Sequence, residues 1–149
     1  MLTGRVHRFY EGYFSVVLEE KDIGLPNGLL WVDEALLIAS WGRGMREDFS
    51  TEEHGKLYRY EPLSRRLVPL LDKPTGNLDG LAVDSAGRIF MSDWISGQVL
   101  MYDGGDTAQI VAVTGKGNAD LTYYPPDGLI VIPLMLDNAV VAFKLERAS

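Results

Sequence analysis

The 149-residue sequence has no cysteine, only two histidines, and no long apolar run. Without cysteine there is no disulfide scaffold, no thiolate zinc site and no cysteine nucleophile. His7 and His54 stand far apart, and neither has a serine or carboxylate at a spacing that would build a catalytic triad. The longest apolar stretch, from Gly128 to Leu136, contains Pro133 and falls well short of the roughly 20 residues that cross a bilayer. The opening residues MLTGRVHRFYEGYF place Arg5, His7 and Arg8 where a signal peptide would need an apolar core. A soluble chain with no membrane partner is therefore expected. Positive charge is scarce too: 14 Lys and Arg face 21 Asp and Glu, a net charge of −7. That balance repels phosphate backbones and points away from nucleic acid, whereas a metal or cationic ligand suits it.

Helical periodicity is also missing. No window of a dozen residues keeps apolar side chains at three- and four-residue spacing, while short Val, Ile, Leu and aromatic runs recur between Gly, Pro, Asp and Asn. The pattern is all-β. Thirteen strands are expected, beginning near Gly4, Tyr13, Pro26, Ala35, Lys56, Arg66, Leu78, Arg88, Gln98, Gln109, Ala119, Leu129 and Ala139.

Internal repetition organises these strands. GKLYRYE from Gly55, GQVLMYD from Gly97, NAVVAFK from Asn138 and GRVHRFY from Gly4 share one pattern of a turn residue, an apolar residue and an aromatic. Upstream of the first three lie PNGLLW from Pro26, LDGLAV from Leu78 and ADLTYY from Ala119, which also align. Gly55 to Gly97 is 42 residues and Gly97 to Asn138 is 41; Asn27 to Asp79 is 52 and Asp79 to Asp120 is 41. The period is near 41, with an insertion of about ten residues in the polar stretch 42–55, expected to be a loop. Four short strands per repeat describe a β-propeller blade, whose first strand lines a central channel. The expected organisation is one partial propeller domain over 1–149. It divides into a half-blade at 1–20, a blade at 25–72, a blade at 77–114 and a partial last blade at 118–146. That is about three blades' worth of chain.

Asn27, Asp79 and Asp120 occupy equivalent positions at the start of innermost strands, so propeller symmetry turns them toward one axis. Hard cations take such oxygen ligands without help from cysteine or histidine. Each residue taken alone also fits a turn cap, because Asn and Asp bond the backbone that follows them. Trp41 and Trp94 end second strands and could floor a pocket or pack one blade on the next. Asp93 could face the same pocket or accept a turn hydrogen bond. The 42–55 insertion, leaving the strand of Trp41, could act as a lid or remain a solvated loop.

LPNGLLW, LYRYE and GNLDGLAVDSAGRIFMSDWISGQVLMYD resemble the SMP-30/gluconolactonase/luciferin-regenerating-enzyme family of six-bladed propellers, and ADLTYYPPDGLIVIPLMLDNAVVAFKL resembles its last blade. The resemblance covers about Leu25 to Leu145, so the chain corresponds to the C-terminal half of such a propeller. It implies one divalent cation at the channel mouth, Ca²⁺ first, with Mg²⁺, Mn²⁺ or Zn²⁺ as alternatives. It further implies Asn27 and Asp79 as ligands, Asp79 as general base, and a sugar lactone or related ester as substrate. The family's first ligand, a glutamate from an N-terminal blade, has no counterpart here. Activity would then require a second chain to complete the propeller. Strand counting points the same way, to a homodimer that closes the ring, unless the chain is part of a longer one. The alternative is a non-catalytic propeller segment that binds a ligand or a protein.

Overall fold

The computed structural model describes residues 4–145. Among them the apolar runs form fourteen strands in four antiparallel sheets. The first sheet is a hairpin of β1 (Arg5–Tyr10) and β2 (Tyr13–Glu19). A single helical turn, α1 (Glu20–Ile23), leads to β3 (Leu25–Val32), β4 (Ala35–Met45), β5 (Thr51–His54), β6 (Leu57–Glu61) and β7 (Arg66–Pro69). These five make the second sheet, in the order β3-β4-β6-β7 with β5 paired to the far end of β4. The third sheet follows chain order through β8 (Leu78–Val83), β9 (Ile89–Asp93), β10 (Gln98–Tyr102) and β11 (Gln109–Val113). The last is β12 (Thr122–Tyr124), β13 (Leu129–Leu134) and β14 (Ala139–Lys144). Chain-order antiparallel sheets of this kind, set side by side, are β-propeller blades.

Tight turns fix the hairpins. Glu11 and Gly12 have φ of 49° and 85°, and Asp33 and Glu34 have 47° and 55°. Two left-handed residues in a two-residue loop match the right-handed twist of the strands they join.

The core lies between sheets rather than inside any one of them. Val6, Leu18 and Ile23 pack on Ile38 and Tyr60 of the second sheet. Leu37, Ala39 and Leu57 meet Leu78, Leu81, Met91 and Leu100 of the third. Phe90, Val99 and Met101 meet Ile130, Ile132 and Leu134 of the last. Each sheet thus contributes alternate residues to each neighbour, as the period of two along a strand requires.

Three features depart from the expectation. The 42–55 insertion is not a free loop: β4 runs on to Met45 and β5 pairs back on it through Gly42–His54, Arg43–Glu53 and Met45–Thr51. Its residues are mostly polar because the hairpin projects from the blade and leaves most of them exposed, buried Thr51 excepted. The turn α1 was not anticipated; four residues are too few to show periodicity, and Glu19 and Asp22 hold it by a capping box. The inner strand of the last sheet starts at Thr122 rather than Ala119, after an isolated bridge between Asn118 and Leu134. Residues 1–3 and 146, at the margins of the expected half-blade and last blade, lie outside the described residues.

Candidate functional site: the channel end of the inner strands

The strand pairings bring the expected residues to one end of the sheets. Pro26 pairs with Ser40 and Leu25 with Gly42, so Asn27 and Trp41 share an end. Leu78 pairs with Asp93 and the Trp94 N–H donates to the Asn77 carbonyl, so Asp79 and Trp94 lie at the same end of the next sheet. Gly80 lies against Asp120, so the third inner strand enters there too.

The glycines of the PNG and LDG elements explain why these strands come so close. A side chain on Gly28 would collide with the carbonyl oxygen of Asp79, and one on Gly80 would come within 2.6 Å of the Asp120 Cα. Each inner strand therefore lies against the backbone of the next at the position of its acidic residue. Ser92 ties the same seam: its hydroxyl accepts from the Gly80 N–H at 2.9 Å and donates to the Ala119 carbonyl at 2.6 Å.

The three oxygen-bearing residues differ in setting. Asn27 and Asp120 are exposed, and Asp120 Oδ1 accepts the N–H of Leu121 at 2.9 Å. Asp79 is half-buried, and burial, reinforced by the negative charge of Asp120, pushes its carboxyl up to about 6. Among the described residues no Lys, Arg or His forms an ion pair with either aspartate. Two adjacent carboxylates without a counter-charge favour a cation between or beside them. The donor set is all oxygen, which suits Ca²⁺, Mg²⁺ or Mn²⁺ better than Zn²⁺. It fits in kind and falls short in number: no group of three His, Cys, Asp or Glu converges among the described residues.

At the same end of the sheets lies an aromatic cluster. The rings of Trp41 and Trp94 stand 5.8 Å apart across the boundary between the second and third sheets, and Phe49 meets Trp94 edge-on at 5.9 Å. The Trp41 indole N–H donates to the Phe49 carbonyl at 2.8 Å, and the Lys116 ammonium sits 5.4 Å from the Trp94 ring centre. The β4–β5 hairpin is thus strapped over the third sheet at its tip. Buried Asn77 secures its base, donating to the Trp41 carbonyl at 2.8 Å and to Thr51 Oγ1 at 2.7 Å. The two tryptophans pack blade on blade. Asp93 is buried, and its Oδ1 accepts the N–H groups of Ile95 and Ser96, which assigns it to the β9–β10 turn rather than to a pocket.

Asn77, Ser92 and Lys116 were not singled out from the sequence. Asn77 had a signal, since it stands two residues before Asp79 as Asn118 stands two before Asp120. A cleft of about 1180 Å³ lined by Asp84, Arg88, Tyr123, Pro126 and Lys144 lies at the opposite end of the sheets, away from these residues.

No family model matches the sequence, and no curated protein matches it. Solved structures do match, and they are β-propellers in the same arrangement of sheets. A gluconolactonase from Xanthomonas campestris aligns with a TM-score of 0.62 at 17% identity, covering 86% of this chain and 40% of that one. Regucalcin, a calcium-binding protein from Agrobacterium tumefaciens, aligns with a TM-score of 0.62 at 20% identity, covering 89% and 45%. A chain of a nidogen/laminin complex aligns with a TM-score of 0.65 at 15% identity, covering 87% and 49%. At such identities the likeness is one of fold. The chain spans half or less of the length of each. Among the described residues no helix is long and apolar enough to cross a membrane.

Proposed function

We propose that the chain carries half of a divalent-cation site for hydrolysing lactones or similar small esters, in a propeller closed by further blades to six. The observation that carries this reading is Asp79: a half-buried carboxylate beside Asp120, on the innermost strand, with no cationic partner among the described residues. The likeness of fold to a gluconolactonase and to a calcium-binding regucalcin supports it. Asn27 and Asp79 would hold the cation, with Asp120 alongside. When bound, the cation supplies Lewis-acid polarisation of the ester carbonyl. Asp79 takes the proton of a water whose oxygen bonds to the carbonyl carbon. The ring C–O bond then breaks, and the proton passes to the departing ring oxygen, giving the hydroxy acid.

Melting the protein across a Ca²⁺ or Mn²⁺ titration tests the cation. A native-state ligand raises the midpoint with concentration, and Asp79→Ala should remove that rise. No rise at millimolar ion in the wild type would refute the cation. A panel of sugar lactones read with a pH indicator, with and without chelator, then tests the reaction; turnover that chelator leaves untouched would assign it to other residues.

The second reading is a binding segment without catalysis, since fold alone does not establish chemistry. The 53% exposure of Phe49, beside half-buried Trp41 and Trp94, favours it. Cation-independent ligand binding without turnover would establish it.

A further inference from the structure

The cleft at the end opposite Asn27 and Asp79 lies between the β8–β9 turn of the third sheet and the β12–β13 turn of the last. Its volume is about 1180 Å³, and none of the residues at the channel end lines it.

One wall of the cleft is a guanidinium held in place. The Asp84 side chain is 2% exposed, and its Oδ1 accepts the N–H groups of Ala86 and Arg88, both at 2.9 Å. Its Oδ2 accepts from Arg88 Nε at 2.7 Å and from Nη2 at 2.6 Å. The Arg88 guanidinium also lies 5.7 Å from the centre of the Phe90 ring. Nη1 makes no hydrogen bond among the described residues, and the side chain keeps 25% exposure at the cleft. An arginine oriented in advance loses little freedom on taking a further oxygen acceptor, and its planar fork matches the oxygens of a carboxylate or phosphate.

Lys144, at the end of β14, supplies a second cation. It is exposed and forms no ion pair among the described residues. The surface between the two cations is apolar: Tyr123 and Leu145 are half-buried against the cluster of Phe90, Ile130 and Ile132, and Pro126 lies beside them. Cationic donors next to an apolar floor select a ligand that has both an oxyanion and an apolar body. Asp127, exposed on the β12–β13 turn, is the one lining acid that Arg88 does not engage.

We infer that this cleft binds a small organic anion, a carboxylate or a phosphate monoester, with its oxyanion on Arg88 and Lys144 and its apolar body on Tyr123, Pro126 and Leu145. The net charge of −7 does not prevent this. Exposed charges farther away than about 8–10 Å are largely screened at physiological salt, so the groups lining the cleft decide. The inference stands apart from the cation site and from hydrolysis, since it shares no residue with them.

Melting the full chain in benzoate, phenyl phosphate and inorganic phosphate up to about 20 mM, with ionic strength held constant by chloride, tests it. The midpoint should rise with benzoate, phenyl phosphate or both, and the arm that rises identifies the head group. Inorganic phosphate, which has no apolar body, should give a smaller rise. Lys144→Glu should weaken the apparent affinity about tenfold, and Asp127→Asn should strengthen it; both positions are exposed. Arg88→Lys keeps a charge beside Asp84 but loses the fork, and should weaken binding as well. Should Arg88→Lys fail to fold, the two exposed positions locate the site without it. No rise with either aryl anion overturns the inference. So does an equal rise in wild type and Lys144→Glu, which would place binding elsewhere, and so does inorganic phosphate acting as strongly as the aryl anions.

Discussion

Gly28 lies so close to the carbonyl of Asp79 that no side chain fits between them. This contact sets the distance between the first two inner strands, and with it the placement of Asn27 relative to Asp79. Gly28→Ala must push the strands apart, and overpacking of this kind costs about 1–3 kcal/mol. A melting midpoint lowered by several degrees, together with loss of any cation-induced stabilisation, is the expected result. Gly105→Ala, at a position whose nearest neighbour is the Asp103 carboxylate at 3.3 Å, serves as the control. Equal melting of the two variants would show that the seam yields without cost.

Ser92 holds the next seam with two hydrogen bonds from one buried hydroxyl. Ser92→Ala leaves the Gly80 N–H and the Ala119 carbonyl without that partner, at a cost of about 1–3 kcal/mol. Ser92→Thr retains the hydroxyl and should recover part of the loss, which chemical denaturation can measure. If Ala and Thr destabilise equally, added or missing volume matters here and the hydrogen bonds do not.

Much of this arrangement was legible in the sequence because a propeller repeats. Recurrence of PNGLLW, LDGLAV and ADLTYY, 52 and 41 residues apart with the insertion in the longer interval, aligns Asn27, Asp79 and Asp120 from the sequence alone. The boundaries of four-stranded sheets follow from the Gly, Asp and Asn punctuation between apolar runs. β5 escaped notice because TEEH is an exposed polar strand added to a projecting hairpin, without the alternation that burial of one face imposes. The convergence of Phe49, Trp94 and Lys116 escaped for a different reason. They come from three loops, and which loops touch depends on how far the β4–β5 hairpin leans across its neighbour.

That lean gives a prediction about motion. The hairpin tip is held by Phe49 on Trp94 and by the Trp41 indole, while its base is held by Asn77. Phe49→Ala should raise amide exchange across Met45–Ser50 at least several-fold and leave exchange in β9 and β10 unchanged, since local opening draws on local contacts. Asn77→Ala should lower global stability as well, because it strips partners from two buried groups. Uniform exchange changes in Phe49→Ala would mean that the hairpin and the third sheet open as one unit.

Asp79 links the site to stability through pH. Its carboxyl titrates at about 6 in the folded chain, raised first by burial and then by Asp120, against 3.8 for the ordinary group. The folded state therefore holds a proton on Asp79 that the unfolded chain has already released between those two values. Stability from this group falls as pH rises through that window, and above it ionised Asp79 costs the fold at most about 3 kcal/mol. Asp79→Asn abolishes the penalty, so with chelator present it should melt higher than wild type at pH 7.5 and at nearly the same temperature at pH 3.5. Asp120→Asn removes only the second cause and should shift the wild-type transition modestly toward lower pH. Melting curves from pH 3.5 to 8 read all three proteins. If wild type and Asp79→Asn keep a constant separation across that range, Asp79 ionises alike in the folded and unfolded chain, and its burial beside Asp120 has no energetic consequence.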